Sequence, residues 1–284
     1  MFISVIMANY NGAKYLSEAI ESVIAQDYNN FEFIIIEDGS TDGSREIIEK
    51  YHRLYKGKIK PVYRSENTGQ GACFNLGIKL SAGNIICFLD SDDFWFKNKL
   101  QNVYNAYTSK SKFAFHQHNL FLMRGEKISD QKFRDTLITG DTFSETKKTR
   151  ILPIFSPTSS LSFSRDIIGK VLPIPGGFVT CADGYLTRTC FCYGEVAADH
   201  GCWGIYRVHE GNHTYENPAH INKRYVKTQL IPNLNKYYQK NKIDLAFSKN
   251  WAGKIYHNSP RKILQVMLRE SRFNRIDSLI EKLI

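Results

Sequence analysis

Three carboxylates, Asp90, Asp92 and Asp93, follow directly on the apolar run Ile85–Leu89, and their type and spacing point to chemistry. The run has the length and composition of a strand buried on both faces. Unpaired carboxylates cannot follow it into the core, because desolvating them costs several kcal/mol, so they belong at a sheet edge facing water, a cation or hydroxyl donors. A short cluster of hard oxygen ligands suits Mg²⁺ or Mn²⁺, which keep some water and share the rest of their shell with phosphate. The plainer reading makes Asp92 or Asp93 the N-cap of a helix starting near Phe94.

The elements that must position these acids follow from periodicity. Phe2–Met7 and Phe31–Ile36 read as buried strands, ended by Asn9-Tyr10-Asn11-Gly12 and by Glu37-Asp38-Gly39-Ser40. Leu16, Ala19, Ile20, Val23 and Ile24 recur at helical spacing between them. Ile47, Ile48, Tyr51 and Leu54 form the apolar face of a second helix that Asp42 or Ser44 can cap. Lys60–Arg64 is a short strand, Gly69–Leu80 a helix and Ile85–Leu89 the fourth strand. This β-α-β-α-β-α-β alternation predicts an α/β fold: a Rossmann-like, mostly parallel sheet with helices on both faces, binding ligands at the carboxyl ends of its strands. Four acid or amide clusters fall on that edge, at Asn9–Asn11, Glu37-Asp38, Ser65-Glu66-Asn67 and Asp90–Asp93. Helix capping alone would not require carboxylates at strand ends. With no G-x-G-x-x-G after the first strand and no G-x-x-x-x-G-K-[ST], phosphate would be held through a metal.

At 284 residues the chain can form one large domain or two small ones. No apolar segment approaches the roughly 18–20 residues needed to span a bilayer, and Met1–Ala8 lacks the basic region of a signal peptide, so a cytoplasmic location is expected. Six cysteines without C-x-x-C spacing read as reduced structural thiols. The net charge of +10 is uneven: from His220 onward there are fourteen Lys and Arg against four Asp and Glu, so the first 219 residues are balanced. A neutral front half without any nucleic-acid motif argues against a nucleic-acid partner.

Several of these stretches, taken together, carry a family resemblance. Ser4–Asn11, Ala25-Gln26, Asp38–Gly43, Asn67-Thr68-Gly69 through Asn75-Leu76-Gly77, and Asp90-Ser91-Asp92-Asp93 resemble, in order, the nucleotide-binding half of a family 2 glycosyltransferase with the GT-A fold. The resemblance implies transfer of a sugar from a nucleotide diphosphate donor, with inversion and with a divalent metal, Mn²⁺ or Mg²⁺. It implies a nucleotide site at Ala8, Tyr10, Asp38, Asn67, Gly69 and Asp90, with Asp38 accepting from the imide N–H of a pyrimidine, Tyr10 against the base and Asp90 on the ribose. Asp92 would ligate the metal, and Asp93 would orient its neighbours or cap the following helix.

The second half is less periodic. Phe113–Met123 reads as a strand, residues 124–150 as a mobile excursion over the site, and Ser156–Ser160 with Leu161–Phe163 as a turn and strand beneath the acceptor. Asp183 stands where the family opens a helix with an acid pair, which makes it the expected base for the acceptor hydroxyl; an N-cap role is the alternative. Tyr206–Asn212 resembles the family's late Arg-x-His segment, implying that Arg207 contacts the diphosphate or that His209 completes the metal shell. Ala8, Phe74 and Ala182 depart from the family's usual Pro or Thr, Arg and acid. Without a Q-x-x-R-W sequence or membrane spans, a processive synthase is not expected.

The expected organisation is a GT-A domain over 1–219, with a donor half at 1–110 and an acceptor half at 111–219, and a basic C-terminal helical extension over 220–284. In that extension Ser259-Pro260 opens a helix, and Ile276, Leu279, Ile280, Leu283 and Ile284 form its stripe. Such a segment can dock on the domain, join a second copy as a homodimer, or lie on an anionic membrane, leaving a peripheral place at the inner face open. The expected activity moves one sugar, from a UDP-sugar by the pyrimidine reading, to a glycan or lipid-linked glycan in surface polysaccharide or glycoconjugate synthesis. The alternative is a GT-A-fold protein that has lost catalysis and only binds nucleotide sugar or glycan.

Overall fold

The computed structural model describes residues 1–109, 113–212 and 223–247. Its first half alternates as expected: β1 (Ile3–Asn9), α1 (Ala13–Ile24), β2 (Phe31–Glu37), α2 (Ser44–Leu54), β3 (Ile59–Tyr63), α3 (Gln70–Leu80) and β4 (Ile85–Asp90). Then come β5 (Phe94–Trp95), α4 (Lys99–Ser109), β6 (Phe115–Arg124), β7 (Lys127–Lys132), α5 (Thr142–Thr149), β8 (Leu161–Ser164), α6 (Arg165–Ile168), α7 (Ala182–Cys190) and β9 (Val196–Val208). A last helical stretch runs from α8 (Lys223–Tyr225) through a π turn at Val226–Leu230 into α9 (Ile231–Lys240).

The strands form one sheet in the order β3-β2-β1-β4-β8-β6-β9-β5, with β7 paired to β6. The first four are parallel, β8 runs antiparallel between β4 and β6, and β6 and β9 are parallel again. Strand alternation distributes the core over both faces. Val5 and Met7 of β1 pack with Leu16, Ile20, Ile48 and Leu100 on one side. Ile6 packs with Phe74, Phe88, Phe163 and Leu186 on the other. A Cβ on Gly77 would stand 2.5 Å from Ile6 Cγ2, so glycine is what lets α3 lie this close to β1. Phe88 is almost completely buried between Phe74 and Phe163, and its removal would cost about 3–5 kcal/mol.

One carboxylate sets two helix starts at the ligand-binding edge. Asp42 accepts from the Ser44 N–H at 3.0 Å and from the Ala13 N–H at 2.9 Å, so α1 and α2 leave their strands in fixed relation.

Two expectations change, and one takes a definite form. No helix starts near Phe94: Phe94-Trp95 pairs with β9 and α4 begins at Lys99, so neither Asp92 nor Asp93 caps it. The stretch 124–150 is not a bare excursion, because β7 extends the sheet beside β6 and α5 is capped by Asp141, which accepts from the Ser144 N–H at 3.0 Å. The described part of the C-terminal extension is built into the core, with Val226, Leu230, Leu234 and Tyr238 sharing a cluster with Phe178, Tyr185 and Leu186. The helix start at Ser259-Pro260 and the stripe Ile276–Ile284 lie outside the described residues. Among the described residues no helix is long and apolar enough to cross a membrane.

Candidate active site

Strand β4 delivers Asp90 to the edge of the sheet, and the turn after it is tied down by a serine from β8's approach. The Ser159 hydroxyl accepts from the Asp90 N–H at 3.1 Å and donates to Asp93 Oδ2 at 2.6 Å. Asp93 Oδ1 accepts the Arg207 N–H at 2.9 Å, so both of its oxygens are taken by protein and the side chain is buried. It is a post that joins β4 to β9. Asp90 is half-buried, and its Oδ1 accepts from Gln70 Nε2 at 3.2 Å. Burial, reinforced by the charge of Asp92, pushes Asp90 and Asp93 well above the usual carboxylate range. Ligand atoms of Asp90, Asp92 and Asp93 lie within 4.8 Å of one another. Crowded acids at a half-buried sheet end suit a divalent cation, and the oxygen donors fit Mg²⁺ or Mn²⁺.

Strand β9 brings the late segment to the same place. His209 Nε2 lies 2.9 Å from Asp92 Oδ2, and the Gly211 N–H donates to Nδ1 at 3.1 Å. With Nδ1 accepting, the proton of the neutral ring belongs on Nε2, the atom that a cation held with Asp92 would take over. Arg207 is buried and already engaged. Its Nε donates to the Asp92 carbonyl at 2.9 Å, its Nη2 pairs with Glu18, and its guanidinium sits 4.6 Å from the Tyr15 ring centroid. These contacts hold the Asp92 backbone; a diphosphate would have to share the guanidinium with Glu18.

Directly after β2, Asp38 is a buried, multiply bonded carboxylate. It accepts from the Thr68 N–H at 3.0 Å, the Thr68 hydroxyl at 2.9 Å and the Gly69 N–H at 2.8 Å, and Arg64 Nε lies 3.1 Å away. Asn67 Oδ1 accepts a second bond from the same Gly69 N–H at 3.0 Å. Gly69 has φ +88°, and a Cβ there would come within 2.6 Å of Val179 Cα, so only glycine fits this approach of the two halves. Tyr10 is 48% exposed, a ring free to stack on a base.

The opposing wall is α7. Its start is held by Gln70, whose Oε1 accepts from the Ala182 N–H at 2.8 Å while its Nε2 reaches Asp90. A single amide thus fixes the distance between the acid cluster and the helix that carries Asp183. Cys181, at φ +56°, precedes that helix, and its carbonyl accepts from the Tyr225 hydroxyl at 2.7 Å. Asp183 lies inside the first turn and is not the N-cap. Burial raises its pKa above the usual carboxylate value, against the lowering effect of Arg188. Desolvation outweighs the favourable electrostatics of the helix start.

Most of these groups line one cavity of about 1160 Å³, whereas Asp93, Arg64, Thr68 and Glu18 are not among its lining residues. Ala8, Tyr10, Asp38, Asn67, Gly69 and Asp90 form one side, and Asp92, Asp183, Arg207 and His209 complete it. The nucleotide, metal, diphosphate and base candidates named from the sequence therefore reach the same space, while Asp93 stays buried outside it.

Comparison with known proteins assigns the arrangement. The profile of Glycosyl transferase family 2 matches residues 4–171, more than half of the chain. The chain belongs to that family. An uncharacterized glycosyltransferase of Nostoc sp. is 33% identical over 231 residues, which cover 81% of this chain and 71% of that one. TuaG of Bacillus subtilis, a putative teichuronic acid biosynthesis glycosyltransferase, is 35% identical over 127 residues, 44% of this chain and 50% of TuaG. Among solved structures, TarS of S. aureus in complex with UDP-GlcNAc matches with a TM-score of 0.67 at 18% identity, over 97% of this chain and 75% of that one. The mannosyltransferase PcManGT from Pyrobaculum calidifontis, in complex with GDP-Man and Mn²⁺, matches at 0.60 and 15% identity, over 94% and 74%. At such identities the likeness establishes the fold, which is the GT-A fold expected.

The departures from the family pattern acquire physical readings. Phe74, where family 2 members commonly carry Arg, lies fully buried with its ring 4.3 Å from that of Phe88, in the core rather than in the cavity wall. Ala182 is buried, and its backbone N–H, not a side chain, makes the link to Gln70. Sequence reasoning missed Gln70, Tyr15, Glu18 and Arg134. Gln70 and Glu18 sit on helices whose apolar faces drew the attention, and Arg134 sits in the stretch read as an excursion.

Proposed function

We propose that this family 2 protein is an inverting, metal-dependent glycosyltransferase that moves one sugar from a UDP-sugar to a hydroxyl of a glycan or lipid-linked glycan. The observation that carries the reading is the Gln70 bridge, which holds Asp183 across one cavity from Asp90 and Asp92. The acceptor oxygen attacks the anomeric carbon from the Asp183 side as the bond to the diphosphate breaks on the other. The hydroxyl proton passes to the Asp183 carboxylate, and the bonding pair leaves with the nucleotide diphosphate. A raised carboxyl pKa suits a base that must hold this proton near neutral pH.

Asp92 and His209 would hold the Mn²⁺ or Mg²⁺, which would supply neutralisation of charge on the departing diphosphate. Asp38 holds the Thr68-Gly69 turn and meets the pyrimidine edge, Tyr10 stacks on the base, and Asp90 meets the ribose. Ala8, Asn67 and Gly69 shape the same nucleotide site. Arg207 steadies Asp92 through its carbonyl and stands close enough to the site to share a diphosphate oxygen.

TarS was solved with UDP-GlcNAc and UDP, and TuaG is named for teichuronic acid synthesis. These support a uridine donor and a surface polysaccharide or glycoconjugate product. The expected place is the cytoplasm or the inner membrane face, with the domain at 1–219 and the basic segment 220–284 as the candidate membrane or dimer contact. The test is nucleotide release from a panel of UDP-, GDP- and dTDP-sugars with and without Mn²⁺. Release from a UDP-sugar only with metal and acceptor supports the reading, and no turnover of any donor overturns it.

A further inference from the structure

Two arginines in the cavity wall, Arg134 and Arg188, have no part in the donor chemistry. Arg188 lies on the face of α7 that also presents Asp183, Gly184 and Thr187 to the cavity, as spacing of one turn requires. Its Nη2 donates to the Pro153 carbonyl at 2.6 Å and its Nη1 to the Gly184 carbonyl at 3.0 Å. Arg134, just beyond β7, donates through Nη2 to the Phe155 carbonyl at 3.2 Å. The two guanidiniums thus grip the same short stretch of the acceptor-side wall.

Neither charge has a carboxylate in direct contact: among the described residues none stands within ion-pair distance of either guanidinium. The Nε–H of each is buried without a partner, and Arg188 is only 8% exposed. Burial, with the like charge of Arg188 second, pulls Arg134 down to about 10. If the pair existed only to hold three carbonyls, neutral amides would do so without the cost of burying cations side by side. The one carboxylate whose charge Arg188 feels is Asp183, and that charge is lost when Asp183 takes up a proton. The fork of a guanidinium matches the oxygens of a phosphate or carboxylate.

We propose that Arg134 and Arg188 form an anion subsite for a negatively charged group carried by the acceptor glycan beside the hydroxyl that Asp183 deprotonates. The subsite rests on the acceptor-side reading of the cavity given above. A phosphodiester and a uronic acid carboxylate share the required chemistry, and a neutral acceptor lacks it.

The test uses the full chain with saturating UDP and Mn²⁺, so that the donor half is filled, and again without them. Glycerol 3-phosphate, glucuronate and glucose are titrated in parallel by NMR. At least one of the two anions is expected to bind at least tenfold more tightly than glucose, and more weakly as salt rises. Arg134→Gln and Arg188→Gln are each expected to remove that preference, with Arg134→Lys retaining part of it. If Arg188→Gln does not fold, Arg134→Gln decides. Stronger binding of the phosphate identifies a phosphodiester acceptor, and stronger binding of glucuronate an acidic sugar. Equal response to all three probes, or an anion preference that survives Arg134→Gln, overturns the subsite. Failure of UDP to bind overturns the glycosyl-transfer reading instead, and the titration without UDP still reports on the arginines.

Discussion

His209 Nε2 lies 2.9 Å from Asp92 Oδ2, although 117 positions separate them in the chain. A contact of this length, with Nδ1 anchored by the Gly211 N–H, is a ready place for a divalent ion to replace a shared proton. UDP titrated by calorimetry is therefore expected to bind tightly only with Mn²⁺ or Mg²⁺. His209→Ala should weaken binding about 10- to 100-fold, and Asp92→Asn at least as much. Equal affinity in chelator would remove the metal from the reading.

Asp38 carries more local structure than a base-reading residue alone would. Because its oxygens hold the Thr68 and Gly69 N–H groups, Asp38→Ala is expected to lower the melting temperature as well as UDP affinity. The affinity loss should be about 1.5–3 kcal/mol, as for a hydrogen bond to a charged group. ADP should bind the wild type less tightly than UDP and respond less to the substitution. Wild-type protein that binds ADP and UDP alike would show that Asp38 reads no base.

The β-α alternation through β4 was legible because parallel strands covered on both faces read as unbroken apolar runs, and their polar ends mark the ligand edge. Asp38, Asp90 and Asp92 stood out because they interrupt that pattern. Strand β7 did not, since its residues are mostly exposed and it has no apolar alternation. Strand β5 is two residues long, below any periodic signal, and so Asp93 passed for a helix cap. Gln70 and Arg134 act through contacts with segments far away in sequence, which no local pattern can announce. The resemblance to the family located Asp183, but only the fold shows that burial raises its pKa.

Burial makes the acid stability of the fold depend on His116. Its pKa is depressed by burial first and by Lys99 second, to about 4 from 6.5. Between those values the unfolded chain binds the extra proton, so the contribution is complete above pH 6.5 and is lost as pH falls toward 4. His116 alone should cost roughly 2 kcal/mol at pH 5 relative to pH 7. Asp90, Asp93 and Asp183, with raised values, act in the opposite sense and offset part of the loss. Urea unfolding of the wild type and His116→Gln at both pH values isolates the histidine. The difference between them should shrink at pH 5, and a constant difference would refute the assignment.

The described part of the C-terminal segment, 223–247, belongs to the core, and the basic excess of the segment is shared equally between it and the residues after 247. Ending the chain at residue 222 would expose Phe178, Tyr185 and Leu186, which pack in one cluster with Val226, Leu230 and Leu234, and is expected to prevent folding. Ending it at 247 should leave UDP binding intact while weakening association with anionic vesicles or a second copy. Circular dichroism and UDP titration of both truncations check this. A soluble, UDP-binding 1–222 chain would contradict the role given to α9.

Under the proposed mechanism turnover depends on Asp183. In the proposed inverting transfer the acceptor hydroxyl attacks opposite the leaving diphosphate, so its proton would go to a protein group on that side, with Asp90 and Asp92 on the other. Gln70 fixes the separation, since it bonds both Asp90 and the first N–H of α7. Asp183→Asn keeps the shape and removes the basicity, so UDP binding should stay near normal while transfer falls about 10²- to 10⁴-fold. Because burial raises the Asp183 pKa, the acid limb of kcat/KM should lie above the ordinary carboxylate value and vanish in the residual activity of the variant. Gln70→Ala, which frees the helix start but leaves the carboxylate, should lower kcat with the same pH limb retained. An Asp183→Asn enzyme that transfers sugar at close to the wild-type rate would place the base elsewhere, with Glu210 and Asp199 the next acids to substitute.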